Sequence, residues 1–395
     1  MPISSNLDWR SVHQRATIID LHIHPAMNRL VIRQNLNLRY VVSRSFNPFA
    51  IRASWPRLKD GGYSAILSVL HVPEIGLLDD FPIIKLFRFL RPDLWRQLIA
   101  TPPFDATLNI MADLEETVAA STPVRMQMAR SVAELDSILN LPPDQRPIAV
   151  VHAVEGAHSL GRSDASDADV LRHLETLYER GVACMTLAHF YPNRVVHPCY
   201  PFPESFANLS ARPNMWRDLT QGLTDLGRRV VARMMELGML IDLSHCTPTA
   251  RQEIFDIADA SGKRVPLLAT HVGAYEINPA PYNLRDWEAQ RIARDGGMVG
   301  VIFMNYWLMP HETGQGLNFL ARTLDHFVNV VGEEHVGIGT DFDGFTDPPD
   351  DLKDASEMPR LTQRLLVDGY SEERVRKILG GNALRVLREG WGKRH

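Results

Sequence analysis

Two histidines stand one residue apart, His22 and His24, in the stretch "TIIDLHIHPAM" directly behind an apolar run. Alternate side chains of a strand point to the same face, so an extended run lets both imidazoles reach one cation. A bare H-x-H is equally an ordinary polar strand end, and the metal reading needs partners elsewhere in the chain. Such partners recur at the ends of other apolar runs: Glu155 in "PIAVVHAVE", His189 in "ACMTLAH", His245 in "GMLIDLSH", His271 in "VPLLATH" and Asp341 in "HVGIGTDFDG".

Zinc and similar ions take imidazole nitrogen and carboxylate oxygen, and hydrolytic sites leave a position open for water. The histidines at 22, 24, 245 and 271, with Glu155 as a bridge, are enough for two ions. Such a pair, about 3.5 to 4 Å apart, holds one hydroxide and polarises a carbonyl at the same time, which is an arrangement for hydrolysis. Asp341 is the natural proton carrier, taking the proton of that water and returning it to a leaving nitrogen. Asp343 would share its face only if the strand continued; the flanking glycines are expected to turn the chain and give it another job. His189 has no second ligand near it in sequence. It suits either the oxyanion of a tetrahedral intermediate or a hydrogen bond behind the site.

The elements that must position these groups are legible as eight short apolar runs: 16–20, 63–72, 147–155, 183–189, 238–245, 265–271, 297–305 and 335–344. Between them lie segments with apolar residues at helical intervals, for example "LTDLGRRVVARMMEL" before the fifth run. Strands alternating with helices imply a parallel sheet, and eight of them a (β/α)8 TIM barrel. The chain is expected to be one such domain over 1–395, with insertions after the first and second strands. Every polar residue named above sits at the C-terminal end of its run, the face where barrels carry their chemistry.

Two stretches break the rhythm. Residues 29–62 form a long excursion rich in arginine and aromatics. Residues 75–103, "IGLLDDFPIIKLFRFLRPDLWRQLIATPP", interleave large apolar side chains with lysine and arginine. The second suits a packed insertion, a subunit contact, a lid or a helix on a membrane surface. Near the end, "GYSEERVRKILGGNALRVL" opens with Ser371 as a helix N-cap and is expected to pack on the barrel.

Composition narrows the partners. A net charge of -5 over 395 residues carries no basic footprint for nucleic acid. Three scattered cysteines, Cys184, Cys199 and Cys246, make neither a disulfide scaffold nor a C-x-x-C zinc site, which suits a reducing compartment. The first residues lack a secretory layout and no stretch reaches 18 uninterrupted apolar residues, so a cytoplasmic, non-spanning protein is expected.

The ordered blocks "IIDLHIHP", "SWPRLKDGGYSAILSV", "AVEGAHSL", "MTLAHF", "GLTDLGRRVVARMMELGMLIDLSH", "ATHVGAY", "YNLRD", "GIGTDFDG" and "GYSEERVRKILGGNALRVL" resemble the membrane (renal) dipeptidase family of the amidohydrolase superfamily. The resemblance runs from about residue 16 to 387. It implies a (β/α)8 barrel with a binuclear zinc site that hydrolyses dipeptides, including some with a D-residue at the C-terminal position, in a protein that is often a dimer. Carried across, His22 and residue 24 would bind the more buried ion, Glu155 would bridge, and His245 and His271 would bind the second. His189 would meet the substrate carbonyl and Asp341 would handle the proton.

Two positions depart from the family pattern. The family's first motif ends in aspartate where this chain has His24. The exchange removes a negative charge, which should make bound water more acidic and the first ion easier to lose. The family's arginine for the substrate carboxylate falls at Tyr282, just before Asn283, and a phenol cannot form a charged bidentate clamp. Either Arg285 takes that place or the substrate lacks a free carboxylate there, so His189, Tyr282, Asn283 and Arg285 are the expected substrate contacts. The alternative substrates are another small amide, an N-acyl compound or a lactone. A metal-poor, non-catalytic barrel is a third reading, against which imidazoles at several strand ends argue.

Overall fold

A computed structural model describes residues 8–43, 47, 49–199, 218–309 and 316–393. Eight strands form a parallel path in the order β1 (Ile18–Ile23), β2 (Tyr63–Leu70), β4 (Ile148–Glu155), β5 (Val182–Thr186), β6 (Leu240–Asp242), β7 (Leu268–Val272), β8 (Met298–Val301) and β9 (Val336–Ile338). The path closes on itself: Ile23 bridges Phe342 in parallel, His24 N donates to Phe342 O at 2.9 Å, and Asp341 N donates to His22 O at 2.8 Å. All eight expected strands are present in a (β/α)8 barrel. A ninth, β3 (Met126–Met128), pairs with the first half of β4 and went unread because three residues carry no periodicity.

The eight residues of β2 and the eight of β4 are all buried, as befits a parallel sheet covered on both faces. Alternate residues of β4 fall into two apolar clusters, Val150 and Val154 in one and Ala149, Val151 and Ala153 in the other. The covering helices are α1 (Pro25–Ile32), α2 (Pro103–Ala119), α3 (Asp167–Glu179), α4 (Asp225–Leu237), α5 (Pro248–Ala260), α6 (Asp286–Arg294), α7 (Gly316–Val331) and α8 (Asn382–Gly390). Helix α4 shows why they form. Thr224 caps it by accepting from Gly227 N, and Leu226, Val230, Val231, Met234 and Met235 make its buried stripe. Gly238, at φ 78, ends it two residues before β6, in a conformation that costs an L side chain. Ser371 likewise caps its helix by accepting from Arg374 N.

The insertion after β2 is a chain of short turns, Ile75–Asp80, Pro82–Leu86, Phe87–Leu90, Pro92–Trp95 and Arg96–Ala100, leading into α2. No helix of the described residues is long and apolar enough to cross a membrane.

Candidate metal centre

Glu155 ends β4 and lies 2 % exposed among the strand ends. Its Oε1 is 3.3 Å from His22 Nε2, 3.3 Å from His245 Nε2 and 3.5 Å from His271 Nε2. Its Oε2 is 3.6 Å from His24 Nε2 and 3.7 Å from His189 Nε2. Two imidazole pairs converge tip to tip, His22 with His24 at 3.1 Å and His245 with His271 at 3.0 Å between Nε2 atoms. Asp341 Oδ1 is 3.2 Å from His24 Nε2. The ligand atoms therefore gather into one set of His22, His24 and Asp341 and another of Glu155, His245 and His271, each within 4.8 Å.

The strand expectation for His24 needs correction, although the convergence it served is present. The strand stops at Ile23, and His24 sits at the N-terminus of α1 with φ -115 and ψ 54. Asp341 and His245 lie three residues beyond their strands and adopt positive φ, 55 and 63. Such left-handed residues cost of order 1 to 3 kcal/mol and persist where surrounding structure fixes them. Here Asp341 N is bonded to His22 O and Thr346 Oγ1 donates to Asp341 O at 2.8 Å, while His245 O accepts from Cys199 N at 2.7 Å. The turn after β9 is thus made by Asp341 and Asp343, φ 67, rather than by the glycines. Gly339 and Gly344 answer to close approach instead: a Cβ at Gly339 would meet Thr270 O at 1.8 Å, and one at Gly344 would meet Asp341 Oδ1 at 2.1 Å. Asp343 accepts from Arg52 N at 2.7 Å and Ala53 N at 3.2 Å, tying the 29–62 excursion to the last strand's loop.

Behind the imidazoles stands a fixed support. His22 Nδ1 and His271 Nδ1 lie 3.0 and 2.8 Å from the hydroxyl of Thr270. That hydroxyl has one proton, which it donates to Asp242 Oδ2 at 2.6 Å. Both imidazoles must then donate from Nδ1, leaving both Nε2 lone pairs to face Glu155. Asp242 also accepts from Thr186 Oγ1 at 2.6 Å, Thr270 N at 2.8 Å and Ser244 N at 3.0 Å. Asp20 plays the matching part between β1 and β9, accepting from Thr340 Oγ1 at 2.6 Å and Thr340 N at 2.9 Å. Burial pushes its carboxyl up to about 7 against those hydrogen bonds.

These residues fit a cation. Burial holds His71, His245 and His271 below the ordinary imidazole value, in the neutral form that binds metals. At His22 burial is outweighed by the charges of Glu155 and Asp341, which bring it up to about 9. The carboxylates thus call for positive charge at His22 Nε2, whether a proton or a metal ion supplies it. The Nδ1 atoms of His24 and His245 are buried without a hydrogen-bond partner, so their Nε2 contacts are the polar contacts these rings make.

His189 is brought to the same centre. Its Nδ1 bonds Glu74 Oε2 at 2.8 Å, and its ring stacks on Phe190 at 3.7 Å. Glu74, buried in the loop after β2, also accepts from Tyr191 N at 2.8 Å and Phe190 N at 3.2 Å. Burial works against the charges on both, but the carboxylates of Glu155 and then Glu74 hold His189 up, and His189 and His158 hold Glu74 down. His71, next after β2, places Nδ1 3.8 Å from Glu155 Oε2 and its ring 4.2 Å from that of His189.

The other three expected substrate contacts, Tyr282, Asn283 and Arg285, stand outside the ligand set, although the ring of Tyr282 is 4.9 Å from that of His245. Tyr282 is 1 % exposed, donates from its hydroxyl to His271 O at 2.7 Å and stacks on Trp307 at 4.2 Å. Asn283 is spent on backbone, accepting from Gly273 N at 2.9 Å and donating to Asn278 O and Trp307 O at 3.0 Å each. The Arg285 guanidinium lies 3.8 Å over the ring of Tyr275. His71, Glu74, Asp242 and Thr270 were not singled out from sequence. Only His71, in "YSAILSVLHV", carried the strand-end signal that marked the others.

A closed parallel barrel with imidazoles and carboxylates converging where its strands end defines the metal-dependent hydrolase class of (β/α)8 proteins. The model of the membrane dipeptidase family (peptidase family M19) matches residues 8–391, and the chain belongs to that family. It is 31% identical over 293 residues to an uncharacterized protein in the pqqA 5' region of Klebsiella pneumoniae, covering 73% of this chain and 97% of that one. It is 31% identical over 268 residues to the dipeptidase tcpJ of Claviceps purpurea, covering 67% of this chain and 55% of that longer one. Among solved structures, a metallopeptidase of Rhodobacter sphaeroides, liganded with a phosphinate mimic of the dipeptide L-Ala-D-Ala, shares the fold. The TM-score is 0.72 at 23% identity over 95% of this chain and 99% of the other.

Proposed function

We propose that this protein is a zinc-dependent dipeptidase that hydrolyses the amide bond of dipeptides, including those with a C-terminal D-residue. The observation that carries the reading is the convergence of His22, His24, His245 and His271 on Glu155 in a chain of the membrane dipeptidase family. His22 and His24 would hold one ion, His245 and His271 the other, and Glu155 would bridge. When bound, the ions supply Lewis acidity to the carbonyl and a water made nucleophilic at neutral pH.

The chain's own residues do the rest. Asp341, anchored through its backbone to His22 and Thr346, takes a proton from water and returns it to the leaving amine. His189, oriented by Glu74, presents Nε2 to the substrate carbonyl oxygen and the charge that develops there. Phe190, stacked on His189, gives the ring an apolar wall. The working protein is assigned as a cytoplasmic homodimer.

A second reading within the same chemistry is a small amide, N-acyl compound or lactone in place of the dipeptide. It is favoured by Tyr282, buried and bonded to His271 O, and by Arg285, occupied on Tyr275. Neither offers a free cation to a substrate carboxylate.

The test is metal content by elemental analysis on protein purified without chelator, with turnover of L,L and L,D dipeptides, their C-terminal amides, N-acyl amino acids and lactones. About two zinc ions per chain with turnover of free dipeptides supports the first reading. Turnover that survives amidation of the carboxylate transfers support to the second, and a metal-free, inactive protein removes both.

A further inference from the structure

The insertion after β2 ends in a protruding ridge that the hydrolytic chemistry does not use. Six consecutive residues, Lys85 to Leu90, are exposed. Four of them are large and apolar: Leu86 is 52 % exposed, Phe87 39 %, Phe89 76 % and Leu90 72 %. Single exposed apolar side chains are ordinary, but contiguous ones mark an interaction surface. Arg88 stands among them, its guanidinium 5.7 Å over the ring of Phe89, and Lys85 directly before them, its exposed ammonium 3.9 Å from Asp79. Over residues 79–96 four cations, Lys85, Arg88, Arg91 and Arg96, stand with three carboxylates, Asp79, Asp80 and Asp93, an excess of positive charge in a chain whose net charge is -5.

The ridge is firmly based. Leu94 and Leu98 are buried beneath it, and Arg91 Nη1 donates to Val31 O at 2.9 Å in α1. Arg33 pairs with Asp93, and Arg162 Nη2 donates to Ile99 O at 2.9 Å. It therefore stands on α1, whose N-cap is His24, and is continuous through residues 75–82 with Glu74, which holds His189. This is the side of the barrel on which the strands end.

Apolar residues on successive positions of a turn point in different directions. A rigid partner with one flat face leaves some of them in water, whereas a fluid acyl layer closes around all of them. A second copy of the chain meeting it ridge to ridge would set Lys85 and Arg88 against the same cations. We propose that Leu86, Phe87, Phe89 and Leu90 insert into an anionic lipid surface while Lys85 and Arg88 meet its headgroups, docking the barrel with its strand ends beside the bilayer. Several such cations near an anionic surface together make a binding that falls with salt.

The experiment is co-sedimentation of the metal-loaded protein with phosphatidylcholine vesicles, with and without phosphatidylglycerol, at low and high salt. Two double variants are compared, Phe89→Asp with Leu90→Asp and Lys85→Glu with Arg88→Glu. All four positions are solvent-exposed, and metal content and turnover of soluble substrate report that each variant is folded. The expected result is binding to the anionic vesicles only, weakened by salt and reduced at least about tenfold in either double variant. Absence of binding at low salt, equal binding to pure phosphatidylcholine, or binding unchanged in both variants overturns the proposal. Conversion of a dimer to monomer by Phe89→Asp with Leu90→Asp, without vesicle binding by the parent, makes the ridge a subunit contact and overturns it as well. The assay reads sedimentation, so its outcome is independent of whether the dipeptidase reading stands.

Discussion

Thr270 gives its single hydroxyl proton to Asp242 at 2.6 Å, and that one bond dictates the tautomers of two neighbouring imidazoles, His22 and His271, whose rings lie 3.6 Å apart and both face Glu155 Oε1. A buried carboxylate with several donors holds the hydroxyl; the hydroxyl holds His22 and His271; their Nε2 lone pairs are left for a cation.

Replacing Thr270 by valine keeps the volume and removes the relay. Metal affinity should fall about 10- to 100-fold, the range seen when such outer hydrogen bonds are lost, and serine should restore most of it. Competition with a chromogenic chelator measures this. Equal affinities for valine and threonine would strip the hydroxyl of the role.

Asp341 faces His24 at 3.2 Å, close enough to be a ligand as well as a proton carrier. Asp341→Asn is expected to keep two ions per chain and to lose about 10²- to 10⁴-fold in turnover, the worth of general acid-base catalysis. His245→Ala, by contrast, should lose one ion along with its activity. Elemental analysis of both variants separates the roles, and loss of metal from the asparagine protein would make Asp341 a ligand.

Glu74 uses both oxygens, on His189 Nδ1 and on the amides of Phe190 and Tyr191. Glutamine offers one acceptor oxygen in place of two. Glu74→Gln should lower kcat with little change in KM or metal content, and Glu74→Ala should lower it further. Identical kinetics for all three proteins would mean that His189 holds its orientation without help.

Tyr282→Phe removes the donor to His271 O and keeps the ring stacked on Trp307. A loss of about 1 to 3 kcal/mol is expected in denaturant unfolding. A midpoint unchanged from the parent would show that the phenol contributes nothing to the fold.

Away from the centre, Glu115 accepts from His152 Nε2 at 3.1 Å and pairs with Arg130 at 3.1 Å. The hydrogen bond from His152 leads in holding it down to about 2, against a burial that works the other way. A carboxyl depressed in the folded state stabilises fully above its unfolded value near 4.5, and that stability drains as pH falls towards 2. Glu115→Gln should therefore flatten the acid limb of stability by about 1 kcal/mol, the pair being partly solvated. Thermal melts between pH 5 and 3 that superimpose for the two proteins would contradict this.

How far the sequence carried the reading depends on the length of the signal each element left. Strands β2 and β4 run for eight buried residues and announce themselves, whereas β3 has three residues and leaves no pattern. His22, Glu155 and His271 lie within strands, so the strand-end argument finds them directly. His189, His245 and Asp341 lie three residues beyond theirs and were found because the apolar run continues past the last ladder bond. Glu74 and Thr270 had no such mark. A carboxylate in a loop or a threonine in a strand looks like any other until the fold sets a histidine against it. Tyr282 shows the opposite limit, since it was expected to meet substrate but its hydroxyl is committed to His271 O, a contact that only the folded chain reveals.

The seam between β1 and β9 joins His22 to Asp341 and His24 to Phe342 through backbone hydrogen bonds. Residues made early in translation therefore wait for residues made more than three hundred positions later before the first ion has all its surroundings. A ribosome-bound chain that has not yet released residue 342 can present His22 and His24 but not the cage around them. Loading of that first ion would then come late in synthesis, whereas Glu155, His245 and His271 are all made by residue 271, and a chain cut between the two halves of the seam should lose the first ion before it loses most of its barrel.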